Sequence, residues 1–365
     1  MFVLVKFTDS CNMNCRYCCM GNHDSSTMPL SDAKLAIDSI LDFLRTNDFQ
    51  ENDICFHGGE PSLLPVTYLA TLWDRIKASM MDVTISMQTN MYAMSEELLQ
   101  LAKHFDVRLS TSVDGPESIH DKSRIDKNGR GTFSRVVANL KRCQDLGVRV
   151  GVICTLNKYN CTVPRELYAF FKKLGVPYKI NWVHKIGKGV NPLINLSSRE
   201  VAVTLMELLD AFLADGEPSV FDDTSTEFMT GVMSGKMLSC AMQGHCQKEF
   251  ICIESNGDVY PCDAFSYLPN AKQYCYGNIL RDGIGVFEHS KRCELQSRDI
   301  CAIDGCLTCE NATICNGGCL LDAENGDYRY GKSIFCDVYK KVFSHCREIK
   351  QLMAESTTTE NKGDD

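Results

Sequence analysis

Apolar residues in the first half of the chain follow two alternating patterns. Short runs rich in Val, Ile and aromatic residues occupy positions 2–7, 53–56, 83–87, 107–112, 149–155 and 178–183, and each reads as a strand. Between them apolar residues recur at helical spacing over 32–46, 66–79, 96–103, 133–146 and 164–174. Ser31 and Ser95 stand where they would cap the first and third of these helices, and Pro164 sits in the first turn of the last. Gly147 and Gly175 directly follow the last two, where a left-handed residue stops a helix. Strands alternating with helices predict a parallel sheet with right-handed crossovers, either doubly wound or a partial barrel. In both cases the reactive site belongs at the C-terminal ends of the strands.

Composition changes this picture in one respect. The chain has 365 residues, enough for two domains, and 21 of them are cysteine. A chain of this length needs no disulfide staples, the count is odd, and the first residues lack the apolar core of a secretory signal. No run approaches the ~18 apolar residues of a membrane span, so no membrane is expected. A net charge of −9 argues against nucleic acid, which demands a basic face. The setting expected is cytoplasmic and reducing, with thiols holding metal. The cysteines are also uneven: four in 1–20, four in 21–239 and thirteen in 240–346. The last dozen residues lack apolar anchors and read as a disordered tail.

The first strand is followed by Cys11-Asn-Met-Asn-Cys15-Arg-Tyr-Cys18. Three thiolates at this spacing can hold an iron–sulfur cluster while one iron stays open to a ligand, whereas an electron-transfer cluster takes four. The second strand ends in His57-Gly58-Gly59-Glu60-Pro61. Its paired glycines permit close backbone approach to a ligand, and its carboxylate suits an ammonium group. The third ends in Gln88-Thr89-Asn90 and the fourth in Ser110-Thr111-Ser112-Val113-Asp114-Gly115-Pro116. All these polar sets fall on one predicted rim.

Together the motifs resemble the radical S-adenosylmethionine (SAM) enzymes over roughly residues 1–185. The resemblance implies an α/β fold, a partial (β/α)6 TIM-like barrel. In it Cys11, Cys15 and Cys18 would ligate a SAM-binding [4Fe-4S] cluster. It places Tyr17 near the adenine, Gly58, Gly59 and Glu60 on the methionine amine, and Ser112 near the carboxylate. Arg124 is a second carboxylate candidate, its alternative being a surface arginine in a polar loop.

The C-terminal third resembles the cysteine-rich SPASM domain of peptide-modifying radical SAM enzymes. The resemblance rests on Cys306-x2-Cys309-x5-Cys315-x3-Cys319 followed by Cys336, with Cys240-x5-Cys246 and Tyr260-Pro261-Cys262-Asp263 upstream. It implies two auxiliary [4Fe-4S] clusters, one on Cys240, Cys246, Cys262 and Cys319, the other on Cys306, Cys309, Cys315 and Cys336. With the SAM-binding cluster that makes three. Four-thiolate sets suit zinc equally, which keeps a noncatalytic zinc-binding interaction protein as the alternative from another class. The domains expected are a core over 1–185, a helical linker over 186–239, the SPASM domain over 240–346, and a helix end with the tail over 347–365.

The reaction implied is hydrogen-atom abstraction from a peptide or protein residue by the 5′-deoxyadenosyl radical, giving a two-electron oxidised or cross-linked product. Asp263, next to Cys262, is the candidate base for the proton, with a capping carboxylate as its alternative. The electron donor expected is a flavodoxin or ferredoxin. Whole-length architecture resembles anaerobic sulfatase-maturating enzymes, which convert Cys or Ser to formylglycine; Asp114-Gly-Pro-x3-His120 and Gly131-Thr-Phe133 are shared. Four positions depart from that pattern: His57 in place of glutamine, Cys19 and Met20 in place of an aromatic pair, and Met91 in place of glycine. These departures favour a maturase of ribosomally made peptide natural products (RiPPs), with the sulfatase maturase as the alternative. Such a maturase is expected here without a separate leader-binding domain. Cys19 is a candidate substrate-facing thiol, and His245 a candidate hydrogen bonder to the cluster at Cys246.

Overall fold

A computed structural model describes residues 1–21, 26–47, 49–216, 219–244 and 246–360. The chain divides into two compact units, the first comprising 1–160, 176–195 and 247–296, the second 161–175, 196–246 and 297–365.

The first unit is organised by a nine-stranded sheet in the order β6-β5-β4-β3-β2-β1-β7-β8-β9. The strands are β1 (Phe2–Val5), β2 (Asp53–Phe56), β3 (Thr84–Gln88), β4 (Arg108–Ser112), β5 (Val150–Leu156), β6 (Tyr178–Trp182), β7 (Phe250–Ile253), β8 (Asp258–Tyr260) and β9 (Gly277–Asn278). The first six coincide with the six predicted runs to within two residues at either end. They are parallel and follow one another without reversal. A doubly wound sheet would reverse at a switch point, so this order resolves the earlier alternative in favour of a singly wound sheet resembling a partial barrel. The sheet does not stop at β1. β7 lies parallel to the other side of β1 in matched register, Phe2 opposite Phe250 and Val5 opposite Ile253. β8 and β9 continue it in antiparallel pairing.

Helices α1 (Leu30–Thr46), α2 (Val66–Ala78), α3 (Glu96–His104), α4 (Glu117–Ser123) and α5 (Phe133–Leu146) lie in this unit. Apolar spacing places Leu69, Leu72, Trp73 and Ile76 of α2 in the core, where the Trp73 indole meets the edge of Phe56 at 5.9 Å between centroids. Ser95 caps α3, its oxygen accepting from the Leu98 amide at 3.0 Å. Ser31 does not cap α1. That helix begins at Leu30 behind Pro29, and the Ser31 hydroxyl bonds instead to the Asp32 carboxylate at 3.0 Å.

The second unit holds α6 (Pro164–Leu174), α7 (Ser198–Leu213), α8 (Asp223–Ser234) and α9 (Cys336–Glu360), with the cysteine-rich loops between them. Ser197 and Glu200 form a reciprocal capping box at the start of α7, and Asp222 caps α8 through the Ser225 amide. Phe228 of α8 meets Phe343 of α9 edge-on at 5.5 Å. Residues 354–360, expected to be a disordered tail, continue α9 as helix; residues 361–365 lie outside the described residues. No helix among the described residues is long and apolar enough to cross a membrane.

Candidate active site

The loops leaving β1 to β5 are tied to one another by their polar residues. At the end of β2, Glu60 is buried, and its carboxylate accepts from the Ser62 amide at 3.0 Å, the Thr89 hydroxyl at 2.5 Å and the Asn90 amide at 2.6 Å. Burial raises its pKa, while these donors hold it down. The side chain of Asn90, after β3, reaches the β1 loop, donating to Asn12 Oδ1 at 2.8 Å and lying 3.8 Å from Cys11 Sγ. Gln88 donates to Ser112 Oγ at 3.2 Å, joining the ends of β3 and β4.

Gly58 and Gly59 are required for a reason the sequence did not show. A Cβ on Gly58 would stand 2.3 Å from the Thr8 carbonyl oxygen, and one on Gly59 2.3 Å from those of Asp9 and Ser10. The Gly59 and Glu60 amides donate to Thr8 O and Ser10 O at 2.9 and 2.8 Å. The close approach here is to the chain that leads into Cys11. Gly59→Ala is expected to lower stability by about 1–3 kcal/mol, read from the urea midpoint, because two carbonyls would have to move.

Met91 marks the departure from glycine noted above. Its φ is 52°, in the left-handed region that glycine enters freely, and its side chain is buried. A methionine held there costs about 1–2 kcal/mol of backbone energy, offset by burying the thioether.

Asp114, after β4, was legible only as part of a motif, yet it organises one side of the rim. It is fully buried, and its carboxylate accepts from the Tyr17 hydroxyl at 2.6 Å, the Ser123 hydroxyl at 2.7 Å and the Thr155 amide at 3.1 Å. Arg124 Nε stands 3.1 Å from the other oxygen, and the guanidinium lies 5.2 Å from the centre of the Tyr17 ring. Arg124 is therefore no surface arginine: it is buried and paired.

The three cysteines of the β1 loop are close enough for each charge to act on the others. Burial pushes Cys11 up to about 12 and Cys15 to about 11; the Met13 amide opposes this at Cys11, and Arg124 and Lys188 oppose it at Cys15. Burial likewise raises Cys18. Such thiols give up their protons when a metal takes them. Among the described residues, no three His, Cys, Asp or Glu side chains are grouped as ligands of a single metal ion. Three half-buried to buried thiols, an amide 3.4 Å from Cys11 Sγ and nearby cations make a donor set whose chemistry suits an iron–sulfur group.

A second set of groups converges behind this loop. The charge of Asp263 acts on Cys19, His57 and Cys55. Burial raises the Cys19 thiol and lowers the His57 imidazole, whose Nδ1 accepts from the Gly58 amide at 2.7 Å. Lys6, which sequence reasoning missed, lies among them, fully buried after β1.

Residues 5–171 match the family model described as the radical SAM superfamily. Residues 5–171 are a radical SAM domain. The protein is thus an enzyme carrying a radical SAM domain, and its cysteine-rich C-terminal region is SPASM-like. It is 26% identical to a cysteine-type anaerobic sulfatase-maturating enzyme of Clostridium novyi, over 93% of this chain and 94% of that protein. The structure "Native anSMEcpe with bound AdoMet" superposes with a TM-score of 0.83 at 23% identity, covering 98% of this chain and 99% of that one. Streptococcus suis SuiB bound to the precursor peptide SuiA superposes at 0.68, with 14% identity, covering 92% of this chain and 75% of that one.

In the SPASM-like region, Cys306, Cys309 and Cys336 lie within electrostatic reach of Cys315. The charges of the other three act on Cys315, which burial pushes up to about 12, and Lys332 and Lys340 oppose the rise at Cys306 and Cys336. The other auxiliary set is divided: Cys240 and Cys319 fall in the second unit and Cys262 in the first. The side chain of Cys246 and the whole of His245 lie outside the described residues.

Proposed function

We propose that this radical SAM enzyme oxidises a Cys or Ser side chain of a peptide or protein segment by two electrons, in the manner of the anaerobic sulfatase-maturating enzymes. The observation that carries this reading is reciprocal coverage: the Clostridium novyi maturase aligns over more than nine-tenths of both chains. The departures at His57, Cys19, Met20 and Met91 had favoured a RiPP maturase; SuiB, bound to its precursor peptide, matches with a lower TM-score and over less of its length. That second reading keeps the hydrogen-atom abstraction, with a different peptide and an oxidised or cross-linked product.

Cys11, Cys15 and Cys18 would hold the SAM-binding [4Fe-4S] cluster; Tyr17, Gly58, Gly59, Glu60, Ser112 and Arg124 would surround SAM. The geometry assigns these residues two kinds of work. Gly58, Gly59 and Glu60 lock the cysteine loop to β2 and β3. Tyr17, Arg124 and Asp114 fix its far side, leaving the Tyr17 ring half-buried at the rim. When bound, the cluster and SAM would supply the radical chemistry that removes a hydrogen atom, and auxiliary clusters on Cys240, Cys246, Cys262 and Cys319 and on Cys306, Cys309, Cys315 and Cys336 would supply a sink for the electron left behind. Asp263 takes the remaining proton on its carboxylate, in a setting shared with His57 and Cys19. A flavodoxin or ferredoxin would be the electron donor.

Asp263→Asn tests this. With a synthetic peptide carrying the target Cys or Ser of a sulfatase, the variant is expected to release 5′-deoxyadenosine while peptide oxidation falls about 10²-fold or more. Mass spectrometry reads both products. Oxidation at the parent rate would remove Asp263 from the mechanism, and oxidation only of a short precursor peptide would favour the RiPP reading.

A further inference from the structure

β1 ends one residue before Lys6, whose side chain is 0% exposed. A buried ammonium is expensive unless its hydrogens are matched, and a hydrophobic residue in its place is often no less stable. Its partners therefore say what it is for. Lys6 Nζ lies 2.7 Å from Glu254 Oε1, 2.6 Å from the Tyr267 hydroxyl, 3.2 Å from Ser266 Oγ and 3.4 Å from the backbone oxygen of Asp263. It also stands 4.0 Å from the centre of the Tyr267 ring.

Three of these partners belong to one 3-10 turn, Asp263–Tyr267, which follows β8 and carries the candidate base. The turn is closed on itself as well, because Ser266 Oγ donates to the Asp263 oxygen at 2.7 Å. The backbone of Lys6 is anchored at the same time, its amide donating to Ile253 O at 2.8 Å. One cation thus joins the strand that leads to Cys11 with the turn that presents Asp263. Burial lowers the affinity of Lys6 for its proton, but its interactions with Cys252, Tyr267, Glu254 and Asp263 outweigh it, so the cation persists.

We propose that Lys6 is a positioning residue for Asp263: its ammonium, neutralised by Glu254, gathers the Asp263–Tyr267 turn against the end of β1 and so fixes the residue that carries the carboxylate. The proposal rests on the reading of Asp263 as the base. It assigns the costly buried charge to geometry, since Lys6 meets the turn through a backbone oxygen and two hydroxyls.

The test uses the full-length, anaerobically reconstituted enzyme as Lys6→Met and as the double variant Lys6→Met/Glu254→Gln, which leaves no unpaired buried carboxylate. Hydrogen–deuterium exchange over 263–267 is expected to rise about tenfold in both while β1 to β6 stay protected. With the synthetic peptide, oxidised product per 5′-deoxyadenosine is expected to fall about 10²-fold, as for a reacting group displaced by an ångström. The peptide KM and the rate of 5′-deoxyadenosine release without peptide should stay within twofold of the parent. Unchanged exchange over 263–267 in both variants overturns the proposal. So does a loss of 5′-deoxyadenosine in step with product, or failure of both variants to fold, since Lys6 would then support the sheet as a whole. The Asp263→Asn enzyme runs beside them. If it still oxidises peptide, the base assignment fails, and the exchange result alone decides whether Lys6 holds the turn.

Discussion

Asp114→Ala is expected to destabilise the protein by about 3–5 kcal/mol, the cost of stranding one partner of a buried ion pair. The carboxylate it removes is 0% exposed and touches four parts of the chain: the cysteine loop at Tyr17, the end of α4 at Ser123, the following loop at Arg124, and β5 at Thr155. Burial by itself would raise its pKa; Arg124, His120, Tyr17 and Ser123 overcome that and hold it below the usual carboxylate range. Without it, Arg124 keeps its charge in a place with little water, and Tyr17 loses the acceptor that fixes its ring. Urea denaturation followed by circular dichroism reads the loss. Asp114→Asn, which keeps two polar atoms but not the charge, is expected to fall between the parent and the alanine variant. A shift under about 1 kcal/mol for Asp114→Ala would mean the pair behaves as a solvated surface contact.

The second large effect is functional. Replacing Cys11, Cys15 and Cys18 together with Ala is expected to abolish 5′-deoxyadenosine formation while the chain still folds. Among the described residues the Cys11 sulfur meets the Met13 amide at 3.4 Å and the Asn90 side chain at 3.8 Å, both weak contacts, while Asn12, Asn90 and Tyr17 tie the loop to its neighbours. Anaerobically purified parent should be brown and carry about twelve iron atoms, four per cluster; the triple variant should carry about eight. Colourless parent protein with two or three zinc atoms would instead support the zinc-binding alternative. Iron analysis and chromatography of the SAM reaction separate these outcomes.

What could be read from the sequence was local. Short β-rich runs located the six parallel strands, and stop glycines the ends of two helices, because Gly147 and Gly175 do adopt the left-handed conformation that ends a helix. The cysteine loop and the polar strand ends were also legible, as each motif lies within a few residues of its strand. Two kinds of feature were not. Gly58 and Gly59 were legible as an approach to ligand, but their close approach to Thr8, Asp9 and Ser10, about fifty residues earlier in the chain, was not. Lys6 was invisible for the same reason: its partners Glu254 and Tyr267 stand 248 and 261 residues away. A charge at the end of an apolar run reads as exposed until the element that covers it is known. Ser31 failed differently, since Pro29 starts the helix earlier and a serine inside the first turn has no free amide to cap.

The pairing of β1 on both sides has a consequence for how the enzyme is made. β1 leaves the ribosome long before β7, and three of its four side chains are buried. One flank receives β2 some fifty residues later, but the other waits for β7, which begins at Phe250. Until β7 emerges, the growing chain therefore shows a bare apolar edge, the kind of template on which nascent chains aggregate. A fragment ending at residue 185 would keep that edge for good. The hairpin of β7 and β8 closes it, and the same stretch delivers Asp263 onto Lys6, so the edge is sealed by the segment that brings in the proposed base.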